Sequence, residues 1–466
     1  MQHGHDAIRP HPRLGWLAAI VPVSARRFRV RDPEFAAAIS AGGGELVDDS
    51  PDVEIGVAEE LVGDAPLAIV PIAMRSGWMP RHRAARAVQR LADAASVGAR
   101  IARARRTARR YGYEAAVPVA WEPQTKLVPG LLEPSRDVPL FQRFPRRAVV
   151  VCTRGGREAT ALEAAVGAAS AELGREIATR AFTLGSSGVL IGTAPELVLR
   201  VSLGPAARRI DDQRAALTSL EEAAPDDVVA DRVPWVLAGG TVGLARWSVE
   251  RRLRGRLAAG GWRDITDDTL DFLTELFVAR LDGAESASPA EDAEICAQHF
   301  PERAGAFRDF GFRLEEVLAG VPRGFNHGDF WSGNLLVENG RLSGVVDWPS
   351  AGPGRLPLLD LFQLRVQQVR EETGALFASV VSRHLLPQLR AGGHQLDLAY
   401  CRRLGLELGP HELVSLGGAY WLDELKHALL DPDRDPGLPA QSEWRRASEE
   451  TLNLLAADQE SGGTSR

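Results

Sequence analysis

The sequence predicts an α/β N-terminal domain followed by a larger α+β domain, and three observations predict it. Short apolar runs alternate with helical patterns up to about residue 153. From about residue 175, three apolar runs follow one another through turn sequences. Beyond about residue 255 the pattern is helical, broken by one hairpin signal at Asn339-Gly340. At 466 residues the chain is too long for one ordinary domain.

In the first region, residues 52–57 (DVEIGV) and 67–72 (LAIVPI) read as short strands. Arg81 to Arg110 reads as a long Ala/Arg-rich helix, and Tyr113 to Ala120 and Arg147 to Cys152 as further strands. This helix–strand alternation is similar to the C-terminal half of a Rossmann-like methyltransferase. No G-x-G-x-x-G lies between a strand and a helix. Gly42-Gly43-Gly44 follows a helical pattern and reads as a helix stop, so no dinucleotide cofactor is expected there. Residues 1–153 are therefore expected to form an accessory, Rossmann-like α/β domain. Residues 154–174, rich in Ala and Glu, are expected to form a linker helix.

Residues 175–254 are expected to form a β-rich lobe. Its runs Ala178 to Thr183, Gly188 to Thr193 and Leu197 to Ser202 are joined by Gly185-Ser186-Ser187-Gly188 and Ala194-Pro195-Glu196. A helix follows at Ala206 to Ala223, then strands near Pro234 to Leu237 and Ala245 to Glu250. Residues 255–457 are expected to form a helical lobe. Within it, Asn339-Gly340 separates Asn334 to Val337 from Leu342 to Val346, a dipeptide suited to a type I′ turn. The tail 458–466 is Gly/Ser/Thr-rich and expected to be disordered.

Composition narrows the function. The chain is 45% hydrophobic and 25% charged, as a soluble globular protein is, and its net charge of −7 argues against general nucleic-acid binding. No apolar run approaches the roughly 20 residues needed to cross a bilayer. The N-terminus lacks a signal-peptide core, so a cytoplasmic location is expected. Cys152, Cys296 and Cys401 are odd in number and far apart, which suits reduced, buried thiols. Of the 55 basic residues only Lys126 and Lys426 are lysines, leaving 53 arginines. The arginines between Arg81 and Arg110 therefore read as a solvated helix face rather than a surface for an anionic partner. No serine sits in a G-x-S-x-G elbow, so hydrolase chemistry finds no support.

The chemistry is carried by residues 325–337 (FNHGDFWSGNLLV). Phosphoryl transfer needs an acidic group at the acceptor hydroxyl and hard oxygen ligands for Mg²⁺, all within a few ångströms. An Asp followed five positions later by an Asn offers both from one short loop: Asp329 toward the acceptor and Asn334 toward the metal. Asp347, after the hairpin, can supply the carboxylate that Mg²⁺ prefers. His327 reads as scaffold, its ring bonding backbone, and Asp360 as a structural acceptor.

These residues resemble the aminoglycoside phosphotransferase and choline kinase family. The resemblance rests on His-Gly-Asp-x₄-Asn at 327–334, on Val345-Val346-Asp347-Trp348, and on Pro357-Leu358-Leu359-Asp360-Leu361. It implies a bilobal, protein-kinase-like fold over about residues 175–456, with a nucleotide lobe before a catalytic lobe. It also implies that Asp329 is catalytic and that Asn334 and Asp347 bind the metal. The same resemblance implies Mg²⁺ and ATP or GTP as cofactors. It implies transfer to a hydroxyl of a small molecule such as an amino sugar, sugar or amino alcohol.

The nucleotide lobe departs from the family pattern. Gly185, Ser186, Ser187 and Gly188 form a loop whose backbone N–H groups could approach phosphates. The third strand carries Arg200 where the family places Lys, and Gln213 stands near the usual helix Glu, with Asp211 and Asp212 beside it. Arginine is longer and forked, yet can neutralise phosphate oxygens bidentately. The segment Trp247 to Arg251, with Glu250, fits the hinge facing the nucleobase. The acceptor is expected among the helices after Gly255 and near Trp348 to Gly354. The alternative reading is a nucleotide-binding pseudokinase or scaffold whose function lies in the N-terminal domain.

Overall fold

Short apolar runs build two six-stranded sheets between Arg27 and Arg251. The computed structural model describes residues 12–56, 61–62, 64–73, 102–111, 113, 115–120, 126–127, 147–154, 158–179, 182–185, 187–223, 228–258, 262–279, 287–430, 446 and 448–455. The expected tail 458–466, Ser186 and residues 81–101 of the arginine-rich stretch lie outside these. Contacts divide the chain into two units, Met1–Asp211 with Val236–Arg252, and Asp212–Trp235 with Leu253–Arg466.

In the first unit, one sheet draws on β1 (Arg27–Val30), β2 (Glu45–Leu46), β3 (Val53–Ile55), β4 (Leu67–Ala73), β5 (Ala115–Ala120) and β7 (Arg147–Thr153). Its order is β2-β1-β3-β4-β7-β5. The first four are parallel, and β7 runs antiparallel to both β4 and β5. The sequence reading missed β1 and β2, whose four and two residues are too short for a periodicity to emerge. Helix α1 (Pro33–Ala41) ends on the triple glycine: Gly43 has φ +84° and Gly44 N donates to Ile39 O at 2.9 Å. Helix α2 (residues 102–110) buries Ala104 and Ala108.

The second sheet has the order β11-β12-β10-β9-β8-β6. It is made of β6 (Lys126–Leu127), β8 (Phe182–Leu184), β9 (Leu190–Thr193), β10 (Leu197–Leu203), β11 (Val236–Val242) and β12 (Ala245–Arg251). The helix expected as a linker is α3 (Ala161–Glu172), started by a Thr160/Glu163 capping box. It lies against β11 and β12.

The two sheets share one core. A single apolar cluster runs from Trp16, Phe28 and Ile39 through Ala165 and Ala169 to Phe182, Leu199, Val201 and Trp247. Glycines let the backbones close up. A Cβ on Gly15 would meet Gly188 O at 1.9 Å, one on Gly42 would meet Gly204 N at 3.0 Å, and one on Gly243 would meet Val23 O at 2.5 Å. Contacts therefore do not separate the region expected as an accessory domain from the β8–β12 sheet.

The second unit is mainly helical, as expected. It contains most of α4 (Ala207–Ala223), then α5 (Thr266–Val278), α6 (Pro289–His299), α7 (Ala304–Leu318) and α8 (Leu359–Thr373). The short α9 (Phe377–Val380) and α10 (Leu386–Arg390) follow, then α11 (Gln395–Leu404) and α12 (Pro410–Leu430). Its small strands are β13 (Arg256–Leu257), β14 (Gly324–Asn326), β15 (Leu335–Glu338), β16 (Arg341–Val345) and β17 (Gly352–Arg355). The β15–β16 turn has Asn339 at φ 53° and Gly340 at φ 74°, the positive pair a type I′ turn requires. Among the described residues no helix is long and apolar enough to cross a membrane. The three cysteines are free and buried.

Candidate active site

The loop that carries His327, Gly328 and Asp329 follows β14 and is held by α8. Asp360, in the first turn of α8, accepts from His327 N at 2.7 Å and from Gly328 N at 2.9 Å. Burial raises its carboxyl to about 6, opposed by those two amide donors. Gly328 has φ +78°, and a Cβ there would lie 2.2 Å from Ser350 O. Any side chain here would strain the backbone and push the two segments apart.

His327 is fully buried. Asp329 N donates to its Nδ1 at 3.3 Å, so the ring proton sits on Nε2, which faces Val346 O at 3.2 Å. Burial lowers its pKa to about 4, partly offset by the charge of Asp347. A neutral ring bonding backbone at both nitrogens is a brace between the loop and the strand end after β16. Trp348, placed by the sequence at the acceptor's edge, is fully buried instead. Its ring centroid lies 4.6 Å from that of His327, and its Nε1 donates to Val345 O at 2.9 Å. It belongs to the floor of the loop.

Asp329 and Asn334 meet directly. Asn334 Nδ2 donates to Asp329 O at 2.8 Å and to Asp329 Oδ2 at 3.2 Å. Both bonds use the amide nitrogen, so the carboxamide oxygen is left as the group Asn334 presents elsewhere. Asp347 is brought alongside by register: Leu335 pairs with Val345, and Val346 N donates to Asn334 O at 2.9 Å. Asp347 has φ +70°, a left-handed conformation that short Asp side chains tolerate and that functional sites collect. A carboxamide oxygen and a carboxylate are the hard donors that suit Mg²⁺, which takes one or two protein oxygens beside phosphates. The residues present therefore fit that ion.

Sequence reasoning missed two members of this site. Gln363 Nε2 donates to Asp329 Oδ1 at 3.4 Å, and Tyr420 OH donates to Gln363 Oε1 at 2.6 Å. Both side chains are buried. The spacing of Gln363 one helical turn after Asp360 was the available signal; Tyr420, 57 positions further on, gave none.

In the first unit, Arg200 stands on β10 opposite Ser248 of β12. Its partner is Glu250, two positions along the same face, at 3.0 Å, with side chains 13% and 1% exposed. Ser248 Oγ also donates to Glu250 at 3.3 Å. The carboxylate beside the arginine thus comes from the neighbouring strand. Asp211 pairs with Arg246 at 3.1 Å, and Gln213 is buried on α4. The segment expected as the hinge, Trp247 to Arg251, is the body of β12, flanked by β10 and β11, and the Glu250 carboxylate is held inside the sheet. Trp247 and Val249 are buried in the core, opposite Val201 and Leu199 of β10. Gly185 and Gly188 sit at the β8–β9 turn, where Gly185 N donates to Val189 O at 2.8 Å and Gly188 N to Gly185 O at 3.1 Å.

Residues 179–395 match the family described as "Phosphotransferase enzyme family" (APH). No curated protein matches the chain. Among solved structures it is similar to a thermostable mutant of aminoglycoside phosphotransferase APH(4)-Ia, with 17% identity and a TM-score of 0.38, covering 59% of this chain and 92% of that one. A choline/ethanolamine kinase family protein from Mesorhizobium loti gives 17% identity and 0.38, covering 58% and 85%. Aminoglycoside phosphotransferase APH(3'')-Id from Streptomyces rimosus, solved with ADP and streptomycin, gives 14% identity and 0.37, covering 53% and 92%.

Proposed function

We propose that this chain, which carries a phosphotransferase-family domain over residues 179–395, is a small-molecule kinase. It moves the γ-phosphoryl group of ATP or GTP to a hydroxyl of an amino sugar, sugar or amino alcohol. The observation that supports this best is the Asp329–Asn334 pairing on a loop pinned by Asp360. In this reading the Asp329 carboxylate accepts the hydrogen of the acceptor hydroxyl and orients its oxygen toward the γ-phosphorus. The new O–P bond forms as the bond to the β-phosphate oxygen breaks, and the hydroxyl proton leaves through Asp329. Asn334 Oδ1 and the Asp347 carboxylate would hold Mg²⁺, which supplies neutralisation of phosphate charge when bound. Arg200, kept in place by Glu250, adds a fixed positive charge in the nucleotide lobe. In the β8–β9 turn the amides of Gly185 and Gly188 bond within the turn, so Ser187 is the described residue of that loop whose backbone N–H would serve phosphate.

A screen of hydroxyl compounds with Mg²⁺ and ATP or GTP, read as nucleotide consumption, tests this. Turnover with at least one acceptor is expected, together with an Mg²⁺ requirement raised at least about tenfold in Asn334→Ala and in Asp347→Asn. Mg²⁺-dependent nucleotide binding without turnover across the panel would favour the pseudokinase reading instead.

A further inference from the structure

We propose that Gln363 is a positioning residue for Asp329 and that Tyr420 sets which end of its carboxamide faces the catalytic carboxylate. The inference rests on the kinase reading above. The two side chains occupy opposite ends of one amide: the phenol donates to Oε1, and Nε2 donates to Asp329 Oδ1. Tyr420 has its proton to donate here, because full burial raises its pKa well above the usual phenol value and keeps it protonated. It is also fixed in place, with ring centroids of Phe362 at 5.9 Å and Phe377 at 5.8 Å. An amide with its oxygen committed to a phenol has only its nitrogen to offer on the other side.

The consequence is a carboxylate gripped at both oxygens. Asn334 Nδ2 reaches Oδ2 and Gln363 Nε2 reaches Oδ1, from a loop and a helix respectively. Two neutral amide donors leave the charge of Asp329 intact while fixing the plane of its carboxylate. The plane decides where the remaining lone pairs point, and so where an acceptor hydroxyl must lie. Charged donors in the same places would weaken Asp329 as an acceptor. Carboxamides orient it without that cost. The path from α12 through α8 to the loop gives this helix a catalytic consequence although none of its residues needs to touch substrate.

The test compares kcat and KM for the wild-type protein, Gln363→Leu, Gln363→Glu, Tyr420→Phe and the Gln363→Leu/Tyr420→Phe double variant. The positioning role predicts that Gln363→Leu lowers kcat by about 10- to 100-fold with nucleotide KM within about twofold. Tyr420→Phe should lower kcat by about three- to tenfold and add nothing in the Gln363→Leu background. In Gln363→Glu, two carboxylates must share a proton, so its pH–rate profile moves to acid and activity is lost as pH rises. A purely structural role would move none of these selectively. Gln363→Leu with wild-type kcat, an unshifted Gln363→Glu profile, or a fully additive double variant overturns the inference while the kinase reading stands. A wild-type protein inactive with every acceptor overturns the kinase reading and the inference with it.

Discussion

Arg200 and Glu250 meet diagonally across β10 and β12 at 3.0 Å, on one face of the sheet. The arginine that replaces the expected lysine therefore has its own carboxylate, supplied by a residue two positions from its cross-strand partner. Removing one member of so buried a pair takes away a charge partner held out of water. Glu250→Ala should lower unfolding free energy by about 3 kcal/mol in denaturant titration. Arg200→Met should raise the nucleotide dissociation constant at least about tenfold, measured by Mg²⁺-dependent thermal shift. Unchanged nucleotide affinity in Arg200→Met would remove that residue from the site.

The shared core predicts that the β8–β12 sheet cannot stand without the N-terminal region. A chain starting at residue 155 would leave Phe182, Leu199 and Val201 without Trp16, Phe28 and Ile39 of the same cluster. It should lack a cooperative unfolding transition and bind no nucleotide. Within the full chain, Gly15→Val would drive a side chain into Gly188 O and Ser202 Oγ, and should weaken nucleotide binding more than acceptor binding. A folded, nucleotide-binding truncation would contradict this.

Buried His327 and Asp360 give opposing pH dependences. His327 is lowered from 6.5 to about 4, so its contribution is whole above pH 6.5 and is lost as pH falls through 4. Asp360 is raised from 3.8 to about 6, so its contribution is whole below pH 3.8 and is lost as pH rises through 6. Each is worth about 3 kcal/mol, and between pH 4 and 6 the two slopes offset. His327→Asn should unmask Asp360, so that stability of the variant rises on going from pH 6 to pH 4. A melting series over that window checks it; a variant that loses stability toward pH 4 would contradict it.

Gly328 is the backbone crossing on which the loop depends. With φ +78° and Ser350 O in the way, Gly328→Ala must displace either the loop or the turn after Trp348. A loss of about 2 kcal/mol or more in stability is expected, with turnover falling further than stability alone accounts for. Wild-type turnover in Gly328→Ala would show that the crossing is not required.

Much of this was legible because it is local. The Asp-x₄-Asn loop, the Asn339-Gly340 turn and the triple-glycine stop each encode their geometry in adjacent residues. What was not legible is set by register and long-range packing. Glu250 read as part of a hinge because nothing in Trp247–Arg251 reveals that strands lie on both sides of it. Trp348 read as part of the acceptor surface because a single aromatic after Asp347 does not announce its burial against His327. Gln363 and Tyr420 become a pair only when α8 and α12 pack together. The N-terminal region read as a separable domain because the apolar cluster that joins it to the β8–β12 sheet pairs side chains far apart in sequence, Trp16 and Phe28 with Phe182 and Leu199.

The most direct test of the account is the turnover number of Asp329→Asn beside the wild-type protein, on whichever acceptor the screen identifies. The substitution keeps the size of the side chain and removes the carboxylate that orients the acceptor. The account predicts that kcat falls by about 10²- to 10⁴-fold while nucleotide binding stays within about twofold. Equal turnover by the two proteins would contradict it.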